Sequence, residues 1–462
     1  MKATKVSKLV ESTHGELVHG EATAMVQSVS TDTRSIPENC AFFALKGDRF
    51  DAHDFLDKAL ENGAKVLVVS RVPDTLTDDQ LSGVVIVKVG DTLTALQQFA
   101  AWYRKDLDIT VIGITGSNGK TSTKDFAKSV LAVKYNITAT VGNLNNHIGL
   151  PLSVLATEPE HEVCIWEMGM NHPGEIAPLC VIAHPDIGII TNVGTAHIEH
   201  MGNVEAIAEE KGELSKSLPE SGTFIVSAAC DYIEYFSQRT QAKTLIVGNG
   251  RGTVRADNLI MSPSGSKFDL IVADQAPVTV NLPVVGRHMV ANALLAAGAG
   301  YTLDMTAEEI AQGLNSSELT SGRLRCFESE GVTIFDDTYN ANPESMAAAI
   351  DTLTEINEAG LEIGERYVVL GQMAEQGIHA EQAHRDVGKL AARRGLHVVS
   401  VGGEAKGIHE GAVEGGADSH HFETTEEAAE WLKNVCKSGD VVLFKGSRAA
   451  GMERVMNQVF SN

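Results

Sequence analysis

The stretch VIGITGSNGKTSTKD, residues 111–125, runs from an apolar segment through a glycine-punctuated loop into a polar helix start. Gly-Lys-Thr at 119–121 is the core of a phosphate-binding loop, yet the common template wants a glycine five places earlier, where Ile114 stands. The glycines fall instead at Gly113, Gly116 and Gly119. The strand-before, helix-after context is nevertheless the one such a loop requires. Glycines let backbone N–H groups turn inward around phosphate oxygens, and the helix N-terminus adds a favourable partial charge. This reading predicts a strand over 109–115 and a helix from about 120. The nucleotide set is Gly116, Ser117, Asn118, Gly119, Lys120, Thr121 and Ser122, with Lys120 reaching the terminal phosphates and the Thr121 hydroxyl able to ligate Mg²⁺. The bland alternative is a plain glycine-rich turn.

Outward from the loop, strands and helices alternate. EVCIWEM (162–168) and DIGIITNV (186–193) read as strands, and VEAIAEEKGELSKSL as a helix, the pattern of a parallel, helix-covered sheet. Glu167 ends the first of these strands, so its carboxylate belongs to the carboxyl edge of the sheet, where open α/β sheets bind ligands. His197 follows the next strand at the same edge. Hard Mg²⁺ prefers oxygen, making Glu167 the more natural ligand; singly, the two also read as a surface strand end and a loop histidine. Lys211, with Glu neighbours at helical spacing, reads locally as part of a solvated ion-pair face.

Three α/β domains are expected, at 1–107, 108–318 and 319–462. The first carries KVLVVS and GVVIVKV. The second ends in a β-rich appendage, TVRADNLIMSPSGSKFDLIVADQAPVTVNLPV, and a helix. The third is a Rossmann-like series containing GVTIFDD, RYVVLGQM, LHVVSVGG and DVVLFKGS. The 462 residues carry a formal net charge of −24, which argues against sequence-independent nucleic-acid binding. No apolar run approaches the roughly 20 residues of a membrane span. No secretory h-region stands at the N-terminus. The six cysteines have no metal-ligand spacing and suit a reducing compartment. A cytoplasmic monomer acting on small molecules is the expectation.

Together these residues resemble the Mur ligase family, which builds the peptide stem of bacterial cell-wall precursors. The family's loop shares the glycine spacing seen here. The resemblance implies a central P-loop ATPase-like domain, ATP with two Mg²⁺ ions, and Lys120 on the ATP phosphates. It further implies Thr121 and Glu167 on one ion, and His197 on a second that a carbamylated Lys211 also bridges. That displaces the local reading of Lys211. GRHMVANAL resembles the segment whose final Asn, here Asn292, contacts adenine, although Met289 stands where the family commonly has Asn. SGRLRCFE and TIFDDTYNANPESM resemble C-terminal motifs that place Arg323 at the phosphates and Asp337 at the ribose.

Other segments are similar to the branch that adds D-alanyl-D-alanine to UDP-N-acetylmuramoyl-tripeptide. STDTRSIPENCAFFALKGDRFDAHDF implies an N-terminal domain holding the UDP end of the precursor, with Thr33, Arg34, Lys46 and Gly47 as candidates. GNLNNHIGLPLSVL contributes Asn145 and Asn146. YNANP contributes Asn340 and Asn342 for the dipeptide, with Asn342 equally readable as a helix cap before Pro343. The loop GQMAEQG (371–377) departs from the family at Gln372 and Gln376 and is left outside the candidate site. Related ligases for other amines would share the loop, Glu167, His197 and Lys211 but lack YNANP and the N-terminal match, whereas a nucleotide switch without ligase chemistry would release phosphate with no added amine. The chemistry implied is phosphorylation of the tripeptide carboxylate to an acyl phosphate, which the dipeptide amine then attacks. Protecting that anhydride from water predicts domain closure, with LTSGR at 319–323 as the candidate hinge.

Overall fold

The computed structural model describes residues 1–72, 76–356 and 364–460. The short apolar strands TVIGIT, VCIWE, IGII and TFIVS are almost wholly buried along their length. Strands buried on both faces belong inside a helix-covered parallel sheet. They form the middle of a nine-stranded sheet whose order is Val278–Leu282, Gly265–Val272, Val254–Ser262, Lys243–Asn249, Thr223–Ser227, Ile187–Ile190, Thr110–Thr115, Val163–Glu167 and Ile137–Ala139. From Ile137–Ala139 to Val254–Ser262 every neighbouring pair is parallel. The β-rich segment is continuous with this sheet: Gly265–Val272 and Val278–Leu282 extend its edge as antiparallel hairpins. Helix Arg287–Thr302, rich in buried alanine and glycine, packs against helix Lys120–Leu131. Small side chains permit that close approach.

Two further sheets flank the central one. The N-terminal sheet pairs Ser28–Ser30, Cys40–Phe43, Val66–Val69 and Val85–Lys88 in parallel, with Glu16–His19 antiparallel at the edge. The C-terminal sheet has Arg325–Ser329 antiparallel to Val332–Asp337, followed by the parallel strands Val441–Lys445, Arg366–Gly371, His397–Val401 and Ser419–Phe422. No helix among the described residues is long and apolar enough to cross a membrane.

Arg104 fixes the N-terminal domain to the central one. It sits near the end of helix Thr92–Lys105 and is 7% exposed. Its Nε donates to the Ala183 carbonyl at 2.9 Å, and its Nη atoms donate to Leu107, His184 and Ile109 carbonyls at 3.3, 3.2 and 3.4 Å. The Ala183 and His184 carbonyls close helix Ile176–Ala183, where a cation also complements the helix dipole. One residue earlier, the Tyr103 hydroxyl donates to the Thr157 carbonyl at 2.7 Å. Around these contacts the apolar core runs without a break from Val6 and Phe99 to Trp166 and Ile176.

Arg104→Ala strands several buried carbonyls at once, so a loss of about 2–4 kcal/mol is expected. Urea unfolding followed by tryptophan fluorescence measures it. Arg104→Lys is expected to recover only part, because an ammonium cannot reproduce the planar fork.

Candidate active site

The glycine spacing has a steric explanation. Ile114 lies within strand Thr110–Thr115, fully buried, and pairs with Glu167 and Ile189 on either side. The turn begins only at Gly116, whose φ is +150°; a Cβ there would stand 1.8 Å from Thr191 Oγ1. Gly119, at φ +81°, forms the cap of helix Lys120–Leu131, and a Cβ there would stand 2.4 Å from Asn292 Oδ1. The loop is also laced to the end of the neighbouring strand. Ser117 N–H donates to the Asn192 carbonyl at 3.1 Å, Asn118 N–H to Asn192 Oδ1 at 2.9 Å, and Gly194 N–H to Ser117 Oγ at 2.9 Å. The Thr191 hydroxyl donates to the Asn118 carbonyl at 2.5 Å. Thr191 and Asn192 are absent from the residues that sequence pattern points to, although two polar residues directly after an apolar strand are a signal.

Around this loop the structure gathers an acid, a hydroxyl and three amines. Thr121 Oγ1 lies 3.3 Å from Glu167 Oε2. Glu167 is 1% exposed, and its Oε1 accepts no hydrogen bond, with the Lys124 ammonium 3.4 Å away. Lys120 Nζ donates to the Gly116 carbonyl at 2.7 Å. Burial pushes the Lys120 amine down to about 8, against the pull of Glu167 and with the push of Arg323. Lys211 is 1% exposed and has no hydrogen bond or ion pair with any described residue. Burial, then the charge of Lys120, drives its amine well below the ordinary lysine range. The solvated ion-pair face is therefore corrected: Glu210 turns to the backbone N–H groups of Gly174 and Ile176, both at 2.7 Å, and Glu213 pairs with Lys216.

The C-terminal domain supplies the facing wall. Arg323 donates to Thr121 Oγ1 at 3.2 Å and stacks over Tyr339 at 4.1 Å. Asn342 both caps helix Pro343–Glu355, accepting from Ser345 N–H at 2.9 Å, and donates to Asn118 Oδ1 at 2.8 Å. Asp337 pairs with buried Lys445 at 2.5 Å, and that ammonium also reaches the Asn340 carbonyl at 3.1 Å. His288, beside them, is pushed down to about 4 by burial. His197 Nδ1 meets Glu375, an acid in the 371–377 loop that lies outside the sequence-derived set. That hydrogen bond holds the Glu375 carboxyl below its usual range. Contact between residues 178 positions apart leaves no local trace in the sequence.

A cleft of 1180 Å³ opens between the two walls. Ser117, Asn118, Gly119, Lys120, Thr121, Ser122, Asn145, Asn146, Glu167 and His197 line it from the central domain, as does Asn292. Arg323, Asp337, Asn340 and Asn342 line it from the C-terminal side. Asn146 spends its Oδ1 on the Ile148 and Gly149 N–H groups, opening helix Gly149–Leu155. Met289, buried in the core, also reaches the cleft, where its Sδ accepts from Asn292 Nδ2 at 4.0 Å. Thr33, Arg34, Lys46 and Gly47 are not part of the lining; they follow the ends of adjacent parallel strands in the N-terminal sheet. There Arg34 forms an exposed pair with Asp32 at 2.6 Å.

Similarity to known proteins extends along the whole chain. The family models described as "Mur ligase family, catalytic domain", "Mur ligase middle domain" and "Mur ligase, glutamate ligase domain" match residues 25–104, 114–300 and 322–448. The chain is 36% identical to the UDP-N-acetylmuramoyl-tripeptide–D-alanyl-D-alanine ligase of Escherichia coli (strain K12), covering 100% of this chain and 99% of that one. A crystal structure of MurF from Acinetobacter baumannii superposes with a TM-score of 0.91 at 32% identity, covering 100% of both chains. MurF ligase from Thermotoga maritima in complex with ADP superposes at 0.82 and 30% identity, covering 94% of this chain and 97% of that one.

The steric reading makes a contrast testable by calorimetric titration of nucleotide. Gly116→Ala forces the loop off Thr191 and is expected to weaken ATP binding by about tenfold or more, on the order of 1.4 kcal/mol. Ile114→Val, inside the strand, is expected to cost about 0.5–1.5 kcal/mol of stability and leave nucleotide affinity unchanged.

Proposed function

Because the chain belongs to the Mur ligase family, we infer that it is an ATP-dependent ligase joining D-alanyl-D-alanine to UDP-N-acetylmuramoyl-tripeptide in peptidoglycan precursor synthesis. The observation that carries this reading is full-length similarity to enzymes of that activity. The cleft contributes the chemical fit. ATP lies along the glycine loop with its terminal phosphates toward Lys120 and Arg323. The tripeptide's terminal carboxylate attacks the γ-phosphorus, ADP leaves, and the resulting acyl phosphate accepts the dipeptide amine. Collapse of the tetrahedral adduct expels phosphate and forms the amide. Phosphoryl transfer of this kind rests on positioning and charge stabilisation, which Lys120, Arg323 and the loop N–H groups supply.

The residues present fit Mg²⁺. Glu167 Oε1 is buried without a hydrogen bond and the Thr121 hydroxyl adjoins the other oxygen, a hard-oxygen pair suited to an ion that keeps phosphate and water ligands. Among the described residues no three His, Cys, Asp or Glu side chains cluster as a ready-made metal site, in line with a cation held largely by its nucleotide. Mg²⁺, when bound, would offset phosphate charge. His197 and Lys211 are the residues assigned to a second ion. A buried amine that has lost its proton can add to CO₂, forming a carbamate and releasing one proton. The carbamate would turn Lys211 from a nitrogen base into an oxygen donor.

The remaining assignments follow from the same reading. Asn292 and Asp337 serve the adenosine end, while Asn340 and Asn342 face the dipeptide. Thr33, Arg34, Lys46 and Gly47 hold the UDP end from residues 1–107, so the precursor spans from that domain to the cleft built by 108–318 and 319–462. All of these residues come from one chain, so a monomer suffices, and the cytoplasm is where ATP and UDP-linked precursors meet.

Incubation with ATP, UDP-N-acetylmuramoyl-tripeptide and D-alanyl-D-alanine is expected to yield the pentapeptide by mass, with phosphate release that needs both acceptor and amine. ATP consumption without a new amide would overturn the reading. Lys211→Ala is expected to lose activity on the order of 100-fold. A short-chain carboxylic acid is expected to restore part of it; a variant with normal activity would remove the carbamate from the mechanism.

A further inference from the structure

Two acids of the C-terminal domain close on one short loop of the central domain, residues 194–197. Glu344, in the first turn of helix Pro343–Glu355, accepts from Thr195 N–H at 2.9 Å and from its hydroxyl at 3.0 Å. Glu375, in the loop after strand Arg366–Gly371, accepts from His197 Nδ1, and its carbonyl accepts from Glu199 N–H at 3.4 Å. The approach is close on both sides. A Cβ on Gly194 would stand 3.0 Å from Glu344 Cδ, and one on Gly377, at φ +52°, would stand 3.0 Å from Glu199 Cγ. His197 itself holds φ +64°, a left-handed backbone that persists only where surroundings impose it.

An ionised carboxylate can only accept a hydrogen bond. The proton of a neutral His197 therefore sits on Nδ1 and the lone pair on Nε2, the tautomer that a cation-binding imidazole needs. Both the direction of the ring and the placement of its proton come from the opposite domain.

We propose that Glu375 is a positioning residue for His197, with Glu344 steadying the loop, so that the imidazole is presented to a divalent cation only when the C-terminal domain is docked. This rests on the ligase reading above. It also gives the loop GQMAEQG a division of roles. Gln376 is buried and folds back on the Ala374 carbonyl at 3.2 Å, while the Gln372 carbonyl accepts from Ser447 N–H at 2.8 Å. Those two shape the loop, and Glu375 makes the contact. Closure and cation binding then become one event, holding back phosphoryl transfer until water is excluded.

The test uses the full chain with a non-hydrolysable ATP analogue and Mn²⁺ as the probe, followed by electron paramagnetic resonance of free Mn²⁺. The wild type is expected to show a tighter and a weaker class of bound ion, and His197→Ala to remove the weaker. Glu375→Ala is expected to weaken that class about 10- to 100-fold and leave the tighter one unchanged. Glu375→Gln, whose amide oxygen still accepts from Nδ1–H, is expected to recover most of the loss, and Glu344→Ala to show a smaller loss. In a His197→Ala background, Glu375→Ala is expected to add nothing. Should His197→Ala remove the weaker class while Glu375→Ala spares it, the positioning role is overturned and the ligase reading stands. Should the wild type hold one class that His197→Ala does not affect, the second-ion assignment and this proposal fall together. Amide formation in the three-component assay would still decide the ligase reading independently.

Discussion

Burial of Lys211 without a partner, behind a loop that carries Lys120, is the constraint on which the rest of this molecule turns. Burial, then the charge of Lys120, lowers the Lys211 amine, and Glu210 offsets only part of that shift. A fold optimised for stability alone would place a methionine or leucine at Lys211, since a buried polar group without a hydrogen-bond partner is costly. The arrangement persists because the surrounding scaffold is stiff. The parallel strands are apolar on both faces, and the glycine loop is tied by Thr191, Asn192 and Gly194. The site is thus under electrostatic strain that anionic phosphate and a carboxylated lysine both relieve.

Much of this site is legible in the sequence, for a geometric reason. When a polar residue ends an apolar strand of a parallel sheet, its direction is fixed by the strand's own period, so Glu167 and the loop can be placed without coordinates. Lys211 shows the limit. Its Glu neighbours suggest a solvated face, yet Glu210 looks inward to helix-opening N–H groups and Glu213 outward to Lys216. Helical spacing gives adjacency but not the side on which another layer will sit. Only the family resemblance points the other way. Glu375 and Glu344 escape sequence reading because their partners lie in another domain, and local pattern carries no information about docking. Asn342 reads equally as cap or ligand contact; it caps a helix with one end of its amide and reaches Asn118 with the other.

The C-terminal domain therefore does more than cover the cleft. Asn342 touches the loop at Asn118, Arg323 touches Thr121 at the start of the helix, and Thr320 binds Asp125 one turn further on at 2.8 and 2.9 Å. These contacts straddle the 319–323 junction, so rotation about it would change the environment of the phosphate loop before any substrate atom moved. The apolar core reinforces the coupling, since it runs from Ile112 and Met289 through Leu324 to Met346 without a break. A packed core shared in this way favours discrete arrangements of the two domains over a continuum of positions.

Charge distribution completes the account of how an acidic chain handles anionic substrates. The protein as a whole carries 61 acidic against 37 basic residues. The cleft lining holds as many basic as acidic side chains: Lys120, Arg251, Arg287, Arg323, Lys445 and Arg448 face Glu167, Glu175, Asp231, Asp337, Glu344 and Glu375. Most of those acids are already committed. Glu175 accepts from backbone N–H groups of Asn171 and His172, Asp337 pairs with Lys445, and Glu344 and Glu375 grip the 194–197 loop. Glu167 accepts from the Thr121 hydroxyl at 3.3 Å and lies 3.4 Å from the Lys124 ammonium, its Oε1 taking no hydrogen bond. The excess negative charge is thereby kept to the outer surface, where it favours solubility. Inside, Lys120 bonds a carbonyl and Arg323 a hydroxyl, and among the described residues neither pairs with an acid, which suits a polyphosphate.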